Sequence, residues 1–129
     1  MALPTHLATA YRRSAYTVAG LKLAVGRTSH GLDGLLAGLG AREAVLITAW
    51  NPASHRKPRA WNTRRMAELR HRLGTTPALP ASGALHRWAE DHLLVTGDRR
   101  RLAVLARLFG QSAMVGLKRG QGPKLLPLI

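Results

Sequence analysis

The sequence predicts an α/β (α+β) domain: a single mixed β-sheet of four to five strands packed with about three helices. Hydrophobic periodicity carries this reading, because segments that alternate every second residue are interleaved with segments that repeat at helical spacing. Apolar residues supply 46% of the 129 positions, enough for a core in one domain of ordinary size. Only one strand, the apolar run Ala44–Trp50, reads as clearly buried on both faces. A two-layer or irregular three-layer sandwich therefore fits better than a full doubly wound fold.

The elements follow in chain order. Residues 1–13 have weak periodicity and read as a weakly structured N-terminal arm or a short helix, leaving 14–129 as a single α/β domain. From Tyr16 to Val25 apolar residues alternate, with a phase slip at Ala19-Gly20 that marks a glycine bulge or a hairpin. Leu32, Leu35, Leu36 and Leu39 lie at helical spacing, with Gly40 placed to cap the helix end. Ala44–Trp50 is the buried strand, stopped at Asn51-Pro52. The next helix can start at Asn62 as its N-cap, bury Met66, Leu69 and Leu73, and end at Gly74. The segment TTPALPASG reads as a Pro-rich connection, and Leu85–Thr96 as another strand. Asp98 can cap a last helix that Gly110 ends. Ala113–Lys118 reads as a strand, RGQGP as a turn, and Lys124–Leu128 as a short edge strand.

Composition excludes several classes. Without cysteine there is no disulfide scaffold, thiolate metal site or cysteine nucleophile. No apolar run approaches the ~18–20 residues of a membrane span. The N-terminal stretch lacks the charged-then-apolar order of a secretion signal, so a cytoplasmic location is expected. There is no P-loop, nucleophile elbow, HExxH or dinucleotide fingerprint, and no cofactor is expected.

Charge is the loudest feature. Twenty Lys and Arg stand against six acids, a formal net charge of +14. Sixteen of the twenty are Arg, which GC-rich codons would favour, but codon bias does not account for so few acids. Seven cations fall between Arg56 and Arg72, against the single acid Glu68. Placing Arg64-Arg65 and Arg99-Arg100-Arg101 in the first turns of two helices is unfavourable unless an anion is present. Arg56, Lys57, Arg59, Arg64, Arg65, Arg72, Arg99, Arg100 and Arg101 are accordingly the candidate nucleic-acid contacts. The stacking pattern of an RRM-like sheet is missing.

Two smaller constellations add polar chemistry. Asn51, Ser54 and His55 follow the buried strand, where α/β proteins often place ligands. His86, Trp88, Glu90 and His92 would share one face of an extended strand. A metal there would need a third strong ligand from elsewhere, so no metal site is assigned. Glu90 reads better as a lone acid or base, or as a partner for Arg65.

Several of these residues also resemble a bacterial family, the domain of unknown function 3293. The resemblance rests on TAWNP at 48–52, Asn62 with Arg65, Trp88 with Glu90, Leu94-Val95 with Gly97, and FGQSA at 109–113, and it spans about residues 14–118. This chain has Gln111-Ser112-Ala113 where the family pattern has Gln-Asn-Ala, and Lys57-Pro58 where a serine is common. The resemblance brings no activity with it. It implies that Asn51, Asn62, Arg65, Glu90 and Gln111 belong together as a ligand-binding group.

The leading expectation is a small soluble bacterial domain that binds an anionic partner, most of all RNA or DNA, through Arg-rich helix starts and loops. One alternative is a small-molecule or enzymatic site for a phosphate- or nucleotide-bearing ligand, built from the five grouped residues. Another is a basic protein-interaction module. A membrane partner is not expected, and oligomeric state and catalysis are left open.

Overall fold

A computed structural model describes residues 3–128. Met1 and Ala2 of the expected arm, and Ile129 at the end of the expected domain, lie outside the described residues. The order is α1 (Thr5–Arg13), β1 (Ala15–Val18), β2 (Leu21–Leu23), α2 (His30–Gly38), β3 (Glu43–Ile47), a single short turn of 3₁₀ type (Pro52–Ser54), α3 (Arg59–Leu73), β4 (Ala78–Leu85), β5 (Trp88–Thr96), α4 (Arg99–Leu108), β6 (Ala113–Lys118) and β7 (Lys124–Pro127). An α+β domain is thus correct, but the sheet has seven strands and the described residues form four α-helices. Nor is the sheet mixed: every pairing is antiparallel, in the order β2-β1-β4-β5-β3-β6-β7.

Alternating helices and strands still produce crossovers, which explains the mixed-sheet expectation. Helix α3 links β3 to β4, two strands that run the same way, but β5 is inserted between them. Helix α4 links β5 to β6 in the same manner, with β3 inserted. Two interlocked split βαβ units result, the ferredoxin-like arrangement over β3-α3-β4-β5-α4-β6. The hairpin β1-β2 extends this sheet on one side and β7 on the other.

Alternation along β3 shows how the two faces are filled. Val45 and Ile47 point into a core with Leu93, Val95 and Met114, covered by Met66, Leu69 and Leu73 of α3 and Leu102, Leu105 and Ala106 of α4. Ala44 and Leu46 point the other way, with Leu94, Val115 and Leu117, onto Leu32 and Leu36 of α2. The sheet curls around this second face. Its two flanks meet where the Gly26 N–H donates to the Pro123 carbonyl at 2.8 Å. Gly122 is obligatory there, since a Cβ would sit 2.9 Å from the Arg27 nitrogen. Asp33 of α2 ties in the same turn by accepting from the Gly120 N–H at 2.9 Å.

Caps and turns agree with the sequence at several points. Ala19 and Gly20, at φ 50° and 78°, form a two-residue hairpin turn, which settles bulge against hairpin. Gly40 and Gly110 occupy left-handed positions just beyond α2 and α4, at φ 66° and 72°. In each case the paired backbone bonds of a Schellman motif close the helix. The Asp98 carboxylate accepts from the Arg100 N–H at 3.0 Å and caps α4.

Elsewhere the expectations need correction. The Pro-rich connection is strand β4, and Pro80 is tolerated because β1 pairs only with Ala81–Ala84, leaving the Pro80 side unpaired. The segment Leu85–Thr96 is not one strand: Leu85 pairs with Trp88 across a tight turn in which His86 has φ 55°. Helix α3 starts at Arg59 after Pro58, so Asn62 is not its N-cap, and Arg64 and Arg65 fall in the second turn. No described helix is long and apolar enough to cross a membrane.

Candidate functional site

The site grows from the strand end at Ile47. Thr48 leaves the ladder and accepts from the Trp50 N–H at 3.0 Å while donating to the Asp91 carbonyl at 2.6 Å. The chain then turns sharply. Asn51, Ala53 and Ser54 all have positive φ, at 46°, 52° and 61°. Asn tolerates that region better than most residues, whereas Ala and Ser do not, so the loop is locally strained. Its neighbours hold it. The Ala53 N–H donates to the Gly110 carbonyl at 2.7 Å, and Gly110 packs so closely that a Cβ would meet that of Pro52 at 2.6 Å.

Asn51 is the hub of the network. Its Oδ1 accepts from the Lys57 N–H at 2.8 Å and from Asn62 Nδ2 at 3.0 Å. Its backbone N–H donates to Asn62 Oδ1 at 3.0 Å, so the two asparagines are doubly bonded. Its Nδ2 donates to Glu90 Oε2 at 2.7 Å, and that same oxygen accepts from Trp88 Nε1 at 2.8 Å. Gln111 turns its Nε2 away, donating to the carbonyls of Trp50 at 3.0 Å and Phe109 at 3.3 Å.

Asn51, Glu90 and Gln111 line one cavity of about 280 Å³ on the curled face of the sheet. Antiparallel register puts its floor together: Gly83 lies opposite Tyr16 on one side and Glu90 on the other. Leu46 and Val115 form the deep apolar wall, and Leu7, Ala10 and Tyr11 of α1 close over the side that α2 leaves uncovered. Gly83 has to be glycine, because a Cβ would lie 2.8 Å from His92 Cε1 and 3.0 Å from Tyr16 Cε1.

Burial dominates the electrostatics. Burial, reinforced by the Glu90 carboxylate, pushes the Tyr11 phenol up to about 12. Burial also raises Tyr16, helped by Tyr11 and Glu90. His92 is pushed below the usual histidine range by burial, which outweighs the opposing pull of the Glu90 carbonyl and of the Glu90 and Asp91 carboxylates. It is therefore neutral at pH 7. Its Nδ1 lies 3.1 Å from the Glu90 carbonyl, which can only accept, so Nδ1 carries the proton and Nε2 the lone pair. Its ring edge meets Tyr16 at 5.6 Å between centroids.

The five grouped residues do not all meet. Asn62 stands behind Asn51 and does not line the cavity. Arg65 lies outside it as well: its carboxylate partner is Glu68, at 2.7 Å, not Glu90, and its guanidinium lies 4.4 Å from the Phe109 ring centroid. Among the candidate cations, Arg56 alone lines the cavity, with its guanidinium 4.2 Å over the Trp88 ring. Lys57 is half-buried, 5.3 Å over Trp61, and Arg59, Arg64 and Arg72 are exposed along α3. Arg99, Arg100 and Arg101 are elsewhere. Because β3 and β5 are antiparallel, the helices that follow them start at opposite ends of the sheet. Arg99 there approaches Glu43 at 4.0 Å, and Arg101 approaches Thr76 at 3.5 Å. The two arginine clusters do not form one patch.

Residues 47–114 match the family described as protein of unknown function (DUF3293). The chain belongs to this family. The DUF3293 match begins at the end of β3 and closes at the start of β6, so it contains Asn51, Asn62, Arg65, Glu90 and Gln111. It omits α1 and β1, which supply Tyr11 and Tyr16 to the cavity. No curated protein and no solved structure matches the chain.

Sequence reasoning passed over Tyr11, Tyr16 and Gly83. The alternation of Tyr16 with Val18 signalled only an inward face, and Gly83 sat in a segment read as a connection. Among the described residues no cluster of three or more His, Cys, Asp or Glu side chains is disposed to hold a metal.

Proposed function

We propose that this DUF3293 domain binds a small organic molecule in the cavity between α1, β4, β5 and the Asn51–Arg56 loop. The observation that carries the reading is the convergence of Asn51, Glu90 and Gln111, drawn from three separate parts of the chain, on one largely apolar cavity. A concave apolar pocket with a few fixed polar groups is the usual form of a ligand site. The strained loop supports the same reading, since such backbone is retained where geometry serves function. The test is a thermal-shift screen of metabolites against the wild type and Ala10→Trp, which fills the cavity. A true ligand at a hundred times its dissociation constant adds about 2.7 kcal/mol to the wild type. Ligands that protect the filled variant equally well, or a screen without any protecting compound, would sink the proposal.

A second reading is supported by the exposed arginines and the net charge of +14. On this reading the α3 flank, with Arg59, Arg64 and Arg72, contacts RNA or DNA phosphates. Each phosphate contact adds roughly 0.9 to the slope of log affinity against log salt on duplex DNA. Filter binding that shows no affinity at low salt, or affinity indifferent to salt, would exclude it.

A further inference from the structure

We propose that the cavity selects organic cations, in particular a planar amidinium group carried on an aromatic ring. The inference rests on the small-molecule reading above and adds the ligand's charge. Its first support is Glu90. In a chain with twenty Lys and Arg against six acids, a carboxylate should easily find a cation. Among the described residues, however, ion pairs form at Glu68 and Glu43 only, and of the four acids left without one, Asp33, Glu90, Asp91 and Asp98, Glu90 is the one that lines the cavity. Its Oε2 accepts from Asn51 and Trp88, while Oε1 has no hydrogen-bond partner among the described residues. A half-buried charge in an apolar wall is costly to leave uncompensated, so a cationic ligand has a ready-made counterpart.

Two further acceptors line the cavity, beside one buried donor without a partner among the described residues, the Trp50 Nε1–H. Gln111 has its Nε2 engaged by two carbonyls, which leaves Oε1 as the part of its amide still open to a partner. Neutral His92 holds its proton at Nδ1, leaving the Nε2 lone pair. Carboxylate, amide oxygen and imidazole lone pair all accept, so they call for a ligand that donates. Tyr11, Tyr16 and Trp88 add aromatic surface around them. Arg56 already shows that a planar cation can rest on this lining, since its guanidinium stacks over the Trp88 ring.

The experiment titrates the full chain with benzamidine, benzoate and benzyl alcohol, which share a ring and differ in charge, following the Trp88 indole N–H resonance. Benzamidine is expected to bind saturably and at least about tenfold more tightly than benzoate, as a charge-assisted bond would give. Glu90→Gln keeps an oxygen for Asn51 and Trp88, removes only the charge, and is expected to erase that preference. Arg56→Gln removes a competing cation and is expected to tighten benzamidine by a few-fold. Equal or tighter binding of benzoate, or an unchanged preference in Glu90→Gln, overturns the inference. If benzyl alcohol binds and benzamidine does not, the cavity still takes ligands and only cation selection fails. Should none of the three move Trp88, cation selection is overturned, and the cavity reading then stands or falls by the metabolite screen.

Discussion

His92 shows how one residue ties the site to the stability of the whole chain. It is buried, lies under Tyr16, and is held neutral. Its folded value lies below the ordinary value of about 6.5. The unfolded state therefore binds the proton first, and stability rises with pH. The contribution is complete above about pH 6.5 and is lost progressively as pH falls from there toward the folded value. Urea midpoints measured from pH 7.5 down to pH 5 should fall more steeply for the wild type than for His92→Gln. Parallel profiles would mean that His92 does not drive the acid sensitivity. Asn62 makes a comparable point for hydrogen bonding. It is completely buried, and its two bonds to Asn51 fix the residue that aims Nδ2 at Glu90. Asn62→Ala leaves the Asn51 N–H without its partner, which costs about 1–3 kcal/mol. A denaturation series giving a loss below about 0.5 kcal/mol would show that the loop keeps its shape without this buttress.

The elements that the sequence displays plainly are those whose local and tertiary demands agree. Strand β3 is apolar because both faces are covered, and α4 carries its own cap at Asp98 and its stop at Gly110. Strand β4 was hidden because its sequence obeys a different constraint. Gly83 lacks a side chain because Tyr16 and His92 occupy the space above it, which interrupts any alternation of large apolar residues along the strand. Helix α3 misled for a related reason. Asn62 has the chemistry of a cap, yet Pro58 starts the helix earlier and releases the asparagine to serve the loop. The convergence of Asn51, Glu90 and Gln111 depends on which strand is inserted between which, a property of topology rather than of any window of sequence.

At the scale of the molecule, charge and cavity are separate features. The cations lie mainly on the surface, their two clusters at opposite ends of the sheet, while the cavity lining has one of them, Arg56, and the carboxylate of Glu90, which forms no ion pair among the described residues. A net charge of +14 belongs mainly to the surface, and it is a poor guide to the chemistry of the cavity lining. The ferredoxin-like core hosts unrelated activities in different proteins, so the addition of α1, α2, the β1-β2 hairpin and β7 is what individualises this one. The way these additions close the fold also sets an order in time. The roof of the cavity comes from residues 7–11, and its far wall is completed by Val115 of β6. During synthesis at ~5–20 residues per second, the early apolar surfaces wait several seconds for that late strand. The cavity is thus complete only once β6 has joined the sheet, and the ligand binding proposed above would begin only then.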